Sequence, residues 1–181
     1  MTMRTLGRTS LSITPLGMGC WPITGITSID VNEADSLATI QAAFDAGINF
    51  FDTAYCYGFD GESEQMIASV LRQDREKIVL ATKGGIHWIA GKQARCARPE
   101  TLRRECDESL RRLQTDRIDL YYLHAPDPNV PIEESAGAIG ELIQQGKVLS
   151  AGLSNANIEL LDRFHRACPL TAFQPHFNML Q

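Results

Sequence analysis

Four polar residues whose side chains can handle protons stand at, or shortly after, the ends of apolar runs in this sequence. They are a carboxylate, a phenol, an ammonium and an imidazole, namely Asp52, Tyr57, Lys83 and His124. An ammonium close to a phenol favours the phenolate and makes the hydroxyl a better acid toward a developing alkoxide. We therefore expect Tyr57 to protonate a carbonyl oxygen beside Lys83. Asp52 would hold that cation, and His124 would hydrogen-bond the carbonyl or tune the phenol.

The segments around these residues alternate between helical periodicity and short apolar runs, which is typical of βαβ units and a parallel sheet. Helices are predicted over residues 30–44, 64–72, 99–113, 136–146 and 158–164. Strands are predicted over residues 48–51, 78–81, 118–123, 148–153 and 171–173, with a shorter run at 16–21 before the first helix. Because these runs are apolar at nearly every position, they suit strands that are buried on both faces.

Two local features of the helices lead to specific expectations. Asp30 and Glu33 have the spacing of a capping box at the start of the first helix. Pro99 suits the first turn of the third helix, whose apolar stripe lies opposite four basic residues. Those residues are predicted to form a solvated face: Arg103, Arg104, Arg111 and Arg112.

Right-handed crossovers repeated in chain order would place each strand beside its predecessor and curl the sheet into a (β/α)8 TIM-type barrel. A flat, doubly wound sheet is the alternative. It is disfavoured because residues 17–22, Gly-Met-Gly-Cys-Trp-Pro, lack the full Gly-x-Gly-x-x-Gly pattern. Reactive groups of such barrels come from the carboxyl ends of the strands. Strand alternation puts Leu120, Tyr122 and His124 on one side, so His124 can point into the barrel mouth.

Composition disfavours several classes of binding partner. The net charge of −5 argues against a general affinity for nucleic acid or for anionic membranes, so small molecules are the better candidates. No apolar run approaches the ~20 residues of a membrane span, and the first residues lack the apolar core of a secretory signal, which favours a cytoplasmic location. The five cysteines contain no Cys-x-x-Cys pair, and the four histidines show no ligand spacing, so no metal site is predicted.

Several motifs resemble those of the aldo-keto reductases. Residues 47–58, Gly-Ile-Asn-Phe-Phe-Asp-Thr-Ala-x-x-Tyr-Gly, look like that family's signature around its Asp and Tyr. Residues 78–83 resemble its lysine strand and residues 116–124 its histidine strand. Residues 152–155, Gly-Leu-Ser-Asn, and 174–178, Gln-Pro-His-Phe-Asn, are similar to its nicotinamide-binding segments. Residues 6–11, Leu-Gly-Arg-Thr-Ser-Leu, resemble a hairpin that plugs the barrel bottom in many members.

The resemblance implies reversible hydride transfer between a nicotinamide and an aldehyde or ketone, with Tyr57 protonating the oxygen. Ser154, Asn155 and Gln174 would bond the carboxamide, and Phe177 would stack on the ring where many members have a tyrosine. The pocket walls are expected to include three further residues: Trp21, His87 and Trp88. The preference for NADP(H) over NAD(H) is taken from the family, because no residue of this sequence distinguishes the two.

Length leads to a further expectation. Complete eight-stranded barrels typically need ~250 residues, whereas the 181 residues end after the sixth predicted strand. We treat residues 1–181 as a single domain with about six of eight β/α units, as in a truncated chain. An alternative function is a non-catalytic nicotinamide-binding or regulatory module, or an inactive fragment, because fold alone does not determine function. Substrate identity and oligomeric state are not predicted.

Overall fold

The computed structural model describes residues 2–176 and residue 179. Ten strands and five α-helices follow one another in the described part of the chain. The strands are β1 Arg4–Thr5, β2 Ser12–Ile13, β3 Met18–Gly19, β4 Phe50–Asp52, β5 Val79–Gly84, β6 Ile86–Ile89, β7 Lys92–Arg95, β8 Leu120–Leu123, β9 Ala151–Ser154 and β10 Leu170–Gln174. The helices are α1 Glu33–Asp45, α2 Glu62–Leu71, α3 Pro99–Leu113, α4 Ile132–Gln144 and α5 Ile158–Ala167.

Six of these strands form one curled parallel sheet, in the order β3-β4-β5-β8-β9-β10. Each strand therefore pairs with the preceding strand of the same sheet, and helices lie in the connections between them. This arrangement is the half-barrel expected of an incomplete (β/α)8 fold, so the barrel prediction is confirmed and the flat doubly wound alternative is wrong.

Strand alternation divides the core into two layers. Tyr121 and Leu123 point toward the helices and belong to the larger apolar cluster, which also contains Leu102 of α3. Leu120 and Tyr122 point to the inner side of the sheet and pack with Ala81. The predicted division of this strand between two faces is confirmed, and it directs the residue that follows, His124, toward the inner side.

A two-stranded hairpin made by β1 and β2 covers the inner layer from below. Its turn residue Leu6 packs against the inner cluster of Ala81, Leu120 and Tyr122. Its second strand is tied to the sheet because the Thr14 backbone N–H donates to Asn49 Oδ1 at 2.8 Å, just before β4. The hairpin predicted from residues 6–11 is present, with those residues forming its turn.

The start of the first helix differs from the prediction. The N-cap of α1 is Asn32, whose side chain accepts the N–H of Asp35 at 2.9 Å. Asp30 has a φ of 55°, in the left-handed region, whereas an N-cap needs an extended backbone. The capping box of Asp30 with Glu33 is therefore wrong, because a second capping residue lay two positions further on.

The sequence patterns also missed a second hairpin, formed by β6 and β7 directly after Lys83. Its two-residue turn is Ala90-Gly91, with φ values of 49° and 75°. Two-residue hairpin turns of this kind require positive φ at both central positions. Alanine rarely adopts that conformation, so the turn carries only its glycine as a local signal.

The solvated arginine face of α3 needs one correction. Arg112 Cζ lies 4.3 Å from the centre of the Tyr55 ring, and its Nη1 donates to Tyr55 O at 3.2 Å. The same guanidinium is 3.4 Å from the fully buried carboxylate of Glu64 on α2. Helical periodicity gives the face on which an arginine lies but not which residues of the neighbouring element contact it.

Within the described residues, no helix is long and apolar enough to cross a bilayer.

Candidate active site

A buried ion pair lies at the carboxyl end of the sheet. Lys83 near the end of β5 is 1% exposed, and its Nζ donates to Asp52 Oδ1 at 2.7 Å and to Thr53 O at 2.9 Å. The neighbouring pairing of β4 with β5 brings the two side chains together, since Asp52 ends one strand and Lys83 nearly ends the next. A buried ammonium needs such partners to remain charged.

Tyr57 reaches the same ammonium from the loop after β4. Lys83 Nζ donates to the Tyr57 hydroxyl at 3.3 Å and lies 4.9 Å from the centre of the ring. The loop turns sharply after the phenol, where Gly58 has a φ of 94° and any Cβ would overlap the side chain of Glu62. Only glycine fits that position without strain, so the turn that places Tyr57 depends on it.

The protonation states follow from burial. Burial raises the pKa of Tyr57 above its ordinary value, and Lys83 lowers it only in part. Burial also lowers the pKa of Lys83, but the charge of Asp52 and the hydrogen bonds from the ammonium to Asp52 and Tyr57 more than offset this, and the pKa of the ammonium is raised. The lysine is thus a cation and the phenol is protonated at neutral pH. Lys83 lowers the pKa of the phenol, as expected, but burial outweighs the cation and the net change in the pKa is upward.

His124 follows β8, and its backbone N–H donates to Gly84 O at 2.9 Å, which fixes it beside the lysine strand. Its ring packs edge-on against Tyr57 with centroids 5.8 Å apart. Burial, together with the positive charges of Lys83 and Arg95, lowers the pKa of His124 to about 3. The imidazole is therefore neutral at neutral pH, with one ring nitrogen as donor and the other as acceptor.

A shallow cavity of about 250 Å³ opens over these groups. It is lined by Trp21, Tyr57, Gln93 and His124, so the phenol and the imidazole face the same space. Trp21 lies against the phenol, with ring centroids 4.9 Å apart. Gln93 comes from the hairpin that the sequence patterns missed, which is why they did not include it in the pocket.

Two other residues expected in the pocket lie on the same hairpin but outside the lining of this cavity. Trp88 donates its indole N–H to Cys56 O at 2.9 Å and packs against Phe59, with ring centroids 4.8 Å apart. His87 points the other way, toward α3, where its Nδ1 is 2.9 Å from Glu105 Oε1. Glu105 also accepts the Gly85 N–H at 2.6 Å and so holds the base of the hairpin.

A second group of polar side chains lies beside Asp52, at the ends of β9 and β10. Gln174 donates Nε2 to Asp52 Oδ2 at 3.0 Å, and Ser154 Oγ donates to Gln174 O at 3.1 Å. Asn155 donates Nδ2 to His124 O at 2.9 Å. Among residues 2–176 and 179, no protein group donates to the side-chain oxygen of Asn155 or to that of Gln174. Both oxygens can therefore accept a hydrogen bond from a ligand amide. Phe177 lies outside the described residues.

This arrangement can protonate an oxyanion in a partly enclosed space. The phenol holds a proton, a fixed cation stands beside it, and a neutral imidazole offers a second hydrogen bond to the same oxygen. The amide and hydroxyl groups of Ser154, Asn155 and Gln174 fit a primary carboxamide, which requires both donors and acceptors. Asp52 connects the two sets of side chains, because it accepts hydrogen bonds from Lys83 in the first set and from Gln174 in the second.

Comparisons with known proteins identify relatives of this chain. The model of the Aldo/keto reductase family matches residues 15–181. Aldo-keto reductase YhdN of Bacillus subtilis (strain 168) is 39% identical over 183 residues, covering 100% of this chain and 55% of that protein. Probable aldo-keto reductase 1 of Glycine max is 39% identical over 176 residues, covering 96% and 51%. The glycerol dehydrogenase AKR11B4 of Gluconobacter oxydans superposes with a TM-score of 0.89 at 36% identity, covering 99% and 56%.

The chain spans about half the length of the curated relatives that it matches, 55% of one and 51% of the other. Within that half, the parallel sheet follows the strand order of a barrel, and its carboxyl end carries the paired lysine and aspartate with the phenol and the imidazole. The family model extends over nearly all of the chain. The chain therefore belongs to the aldo/keto reductase family.

Proposed function

We propose that this chain carries the proton-donating half of an NADP-dependent oxidoreductase that reversibly reduces aldehydes and ketones to alcohols. The observation that supports the proposal most directly is the contact of the buried Lys83 ammonium with both Asp52 and the Tyr57 hydroxyl, at 2.7 and 3.3 Å. Such a cation stabilises the phenolate that remains once the phenol has given up its proton.

In this proposal Tyr57 is the general acid. Its raised pKa keeps the hydroxyl protonated until a substrate oxygen gains negative charge beside it. Lys83 then balances the phenolate, and Asp52 keeps the lysine in place. His124, neutral because burial holds its pKa at about 3, donates a second hydrogen bond to the same oxygen.

The cofactor side of the proposal rests on the polar group at the ends of β9 and β10. Ser154, Asn155 and Gln174 would hold the nicotinamide carboxamide, and Phe177 would stack on the ring. A bound nicotinamide would supply the hydride. NADP in preference to NAD, a cytoplasmic location and a single domain over residues 1–181 are further parts of the proposal.

The substrate side is limited to small carbonyl compounds and the corresponding alcohols. The cavity of about 250 Å³ suits a small molecule, and Trp21 gives it one aromatic wall. Trp88 and His87 remain proposed as pocket residues for a larger substrate that extends along the β6–β7 hairpin. The Gluconobacter oxydans neighbour is named a glycerol dehydrogenase, which supports alcohol oxidation as the reverse reaction.

The test is NADPH consumption by the purified chain with an activated aromatic aldehyde, compared with Tyr57→Phe at equal concentration. Phenylalanine keeps the ring but removes the proton, so turnover is expected to fall by at least ~10²-fold. Tyr55→Phe is the matched control. The Tyr55 hydroxyl donates to Glu108 Oε2 at 2.5 Å, outside the cavity, and its loss is expected to leave turnover unchanged.

The outcomes separate the candidate functions. Equal turnover of Tyr57→Phe and wild type would remove Tyr57 from the mechanism. Tight binding of NADPH without turnover over a broad panel of aldehydes and ketones would favour the non-catalytic nicotinamide-binding module instead. Titrations with NADPH and NADH, followed by quenching of protein fluorescence, would test the proposed preference for NADP.

A further inference from the structure

Cys56 touches the proposed catalytic histidine but has no part in the mechanism above. It directly precedes Tyr57, is 1% exposed, and its Sγ lies 3.6 Å from His124 Nδ1. On the other side, the Gln93 side-chain Nε2 lies 3.9 Å from the same sulfur. The sulfur therefore stands between an amide on the β6–β7 hairpin and a ring nitrogen of the imidazole.

The Gln93 contact has a fixed direction, because an amide nitrogen only donates and the sulfur therefore accepts. The thiol keeps its own hydrogen, which it can donate to His124 Nδ1 when that nitrogen carries no proton. Burial raises the pKa of Cys56 to about 12, so the group is a thiol at neutral pH. The imidazole is neutral, as described above, so its Nδ1 can accept that hydrogen only if Nε2 carries the ring proton.

We propose that Cys56 is a positioning residue that sets the tautomer of His124, because its thiol donates to Nδ1 and so keeps the ring proton on Nε2. Since Nδ1 faces the sulfur, Nε2 is the ring nitrogen that remains for a ligand in the cavity. The partner of one imidazole nitrogen generally decides which nitrogen carries the proton.

The arrangement links the hairpin to the chemistry. Trp88 holds the backbone oxygen of Cys56 at 2.9 Å, while Gln93 holds its sulfur. The hairpin thus fixes both polar groups of the residue that contacts His124. This consequence rests on the proposed function: Nε2–H would be the donor to the substrate carbonyl, beside Tyr57. The tautomer itself can be measured without turnover.

The test is nitrogen NMR of the chain with isotope-labelled histidine, at neutral pH. Chemical shifts of ring nitrogens separate a protonated from an unprotonated nitrogen. The signals of His124 are identified as those missing in His124→Gln, among the four histidines of the chain. The expected result is Nε2 protonated and Nδ1 unprotonated in the wild type, and a shift toward the other tautomer or a mixture in Cys56→Ala.

Two further variants keep the proposal falsifiable. Cys106→Ala removes another buried thiol, on α3, and is expected to leave the His124 signals unchanged. Cys56→Ser retains a donor and is expected to lie closer to the wild type than Cys56→Ala does. A wild-type His124 protonated on Nδ1, or a Cys56→Ala spectrum identical to the wild type, would overturn the proposal.

Kinetics supply an independent readout of the same variants. Loss of one orienting hydrogen bond is expected to lower kcat/KM by roughly fivefold in Cys56→Ala, with partial recovery in Cys56→Ser. A wild type without turnover would count against the proposed function, whereas the NMR spectra alone would still decide the tautomer. Thermal unfolding of each variant checks that the comparison is made between folded proteins.

Discussion

Two buried ion pairs stand at opposite ends of the same sheet. Lys83 and Asp52 meet at the carboxyl end, 2.7 Å apart, and Arg75 and Asp119 meet at the amino end, 2.8 Å apart. Their side chains are similarly buried, at 1% and 17% exposure for the first pair and 12% and 5% for the second. What differs is the set of partners around each cation.

Every nitrogen of the Arg75 guanidinium is bound to a fixed protein group. Nη2 contacts Asp119, and the same cation donates to three further acceptors at 2.9 to 3.2 Å: Thr115 Oγ1, Ile78 O and Arg117 O. Asp119 in turn accepts the Leu80 backbone N–H at 2.7 Å. This network is closed, in that every partner of the guanidinium is a fixed protein group, and it ties the 3₁₀ segment Arg72–Lys77 to the start of β5 and to the residues just before β8. Its role is structural.

Lys83 has two short contacts with fixed acceptors and one longer contact, at 3.3 Å, with the Tyr57 hydroxyl. Tyr57 lines the cavity, and in the proposed reaction its hydroxyl would change its charge. The difference teaches that burial of an ion pair does not indicate function by itself. The pair suited to catalysis is the one whose cation contacts a titratable group that is open to a ligand.

The largest expected effect comes from breaking the open pair, which is Lys83 with Asp52. Lys83→Met keeps most of the length of the side chain but removes the cation that would balance the Tyr57 phenolate. Turnover with an aromatic aldehyde is expected to fall by ~10²-fold or more, measured as NADPH consumption by the folded variant. A variant that keeps wild-type turnover would contradict the role proposed for Lys83.

Breaking the closed pair, which is Arg75 with Asp119, is expected to lower stability and to leave turnover unchanged. Arg75→Met leaves Asp119 buried without its cation and removes the donor of two backbone oxygens, so the free energy of unfolding should fall by about 3 kcal/mol. Urea unfolding measures the loss, and turnover per folded molecule should stay the same. Arg163→Ala, which removes the exposed pair with Glu133, is the control and should unfold at the wild-type urea concentration.

A smaller effect is the pH dependence of stability that His124 contributes at the open end of the sheet. His124 at the open end has a folded pKa of about 3 against an ordinary value of 6.5, so only the unfolded chain takes up its proton between these values. Stability from this group is therefore complete above pH 6.5 and is lost as the pH falls toward 3.

The pH effect is measured by urea unfolding at neutral pH and at about pH 5. Wild type should lose more stability on acidification than His124→Gln. The groups that face the imidazole are the cations Lys83 and Arg95 and the neutral Tyr57 and Cys56. All of them are unchanged in His124→Gln, so equal losses in both proteins would contradict the low pKa.

Much of the fold could be predicted because the apolar runs report directly on burial. Strand order, the two faces of β8 and the shared edge of Asp52, Lys83 and His124 all follow from alternation and chain order. Strand bounds differ from the prediction by up to three residues. Ile118, for example, lies in a predicted strand but forms only an isolated bridge with Val148.

What could not be predicted depends on contacts between distant segments. Gln93 enters the cavity from a hairpin whose base is held by Glu105 on α3, and Arg112 packs against Tyr55 and Glu64 from other segments. The raised pKa of Tyr57 is a third case, since it depends on how completely the loop is buried. Each of these outcomes is set by a partner that no local pattern contains.

The contact distances along the chain have a consequence for the order in which the site assembles. Lys83 lies 31 residues from Asp52, whereas Gln174 lies 122 residues from it. Closing a short loop costs less entropy, and a chain that leaves the ribosome folds from its amino terminus. The contact of Lys83 with Asp52 can therefore form on the nascent chain well before Gln174, the other partner of that carboxylate, has been synthesised.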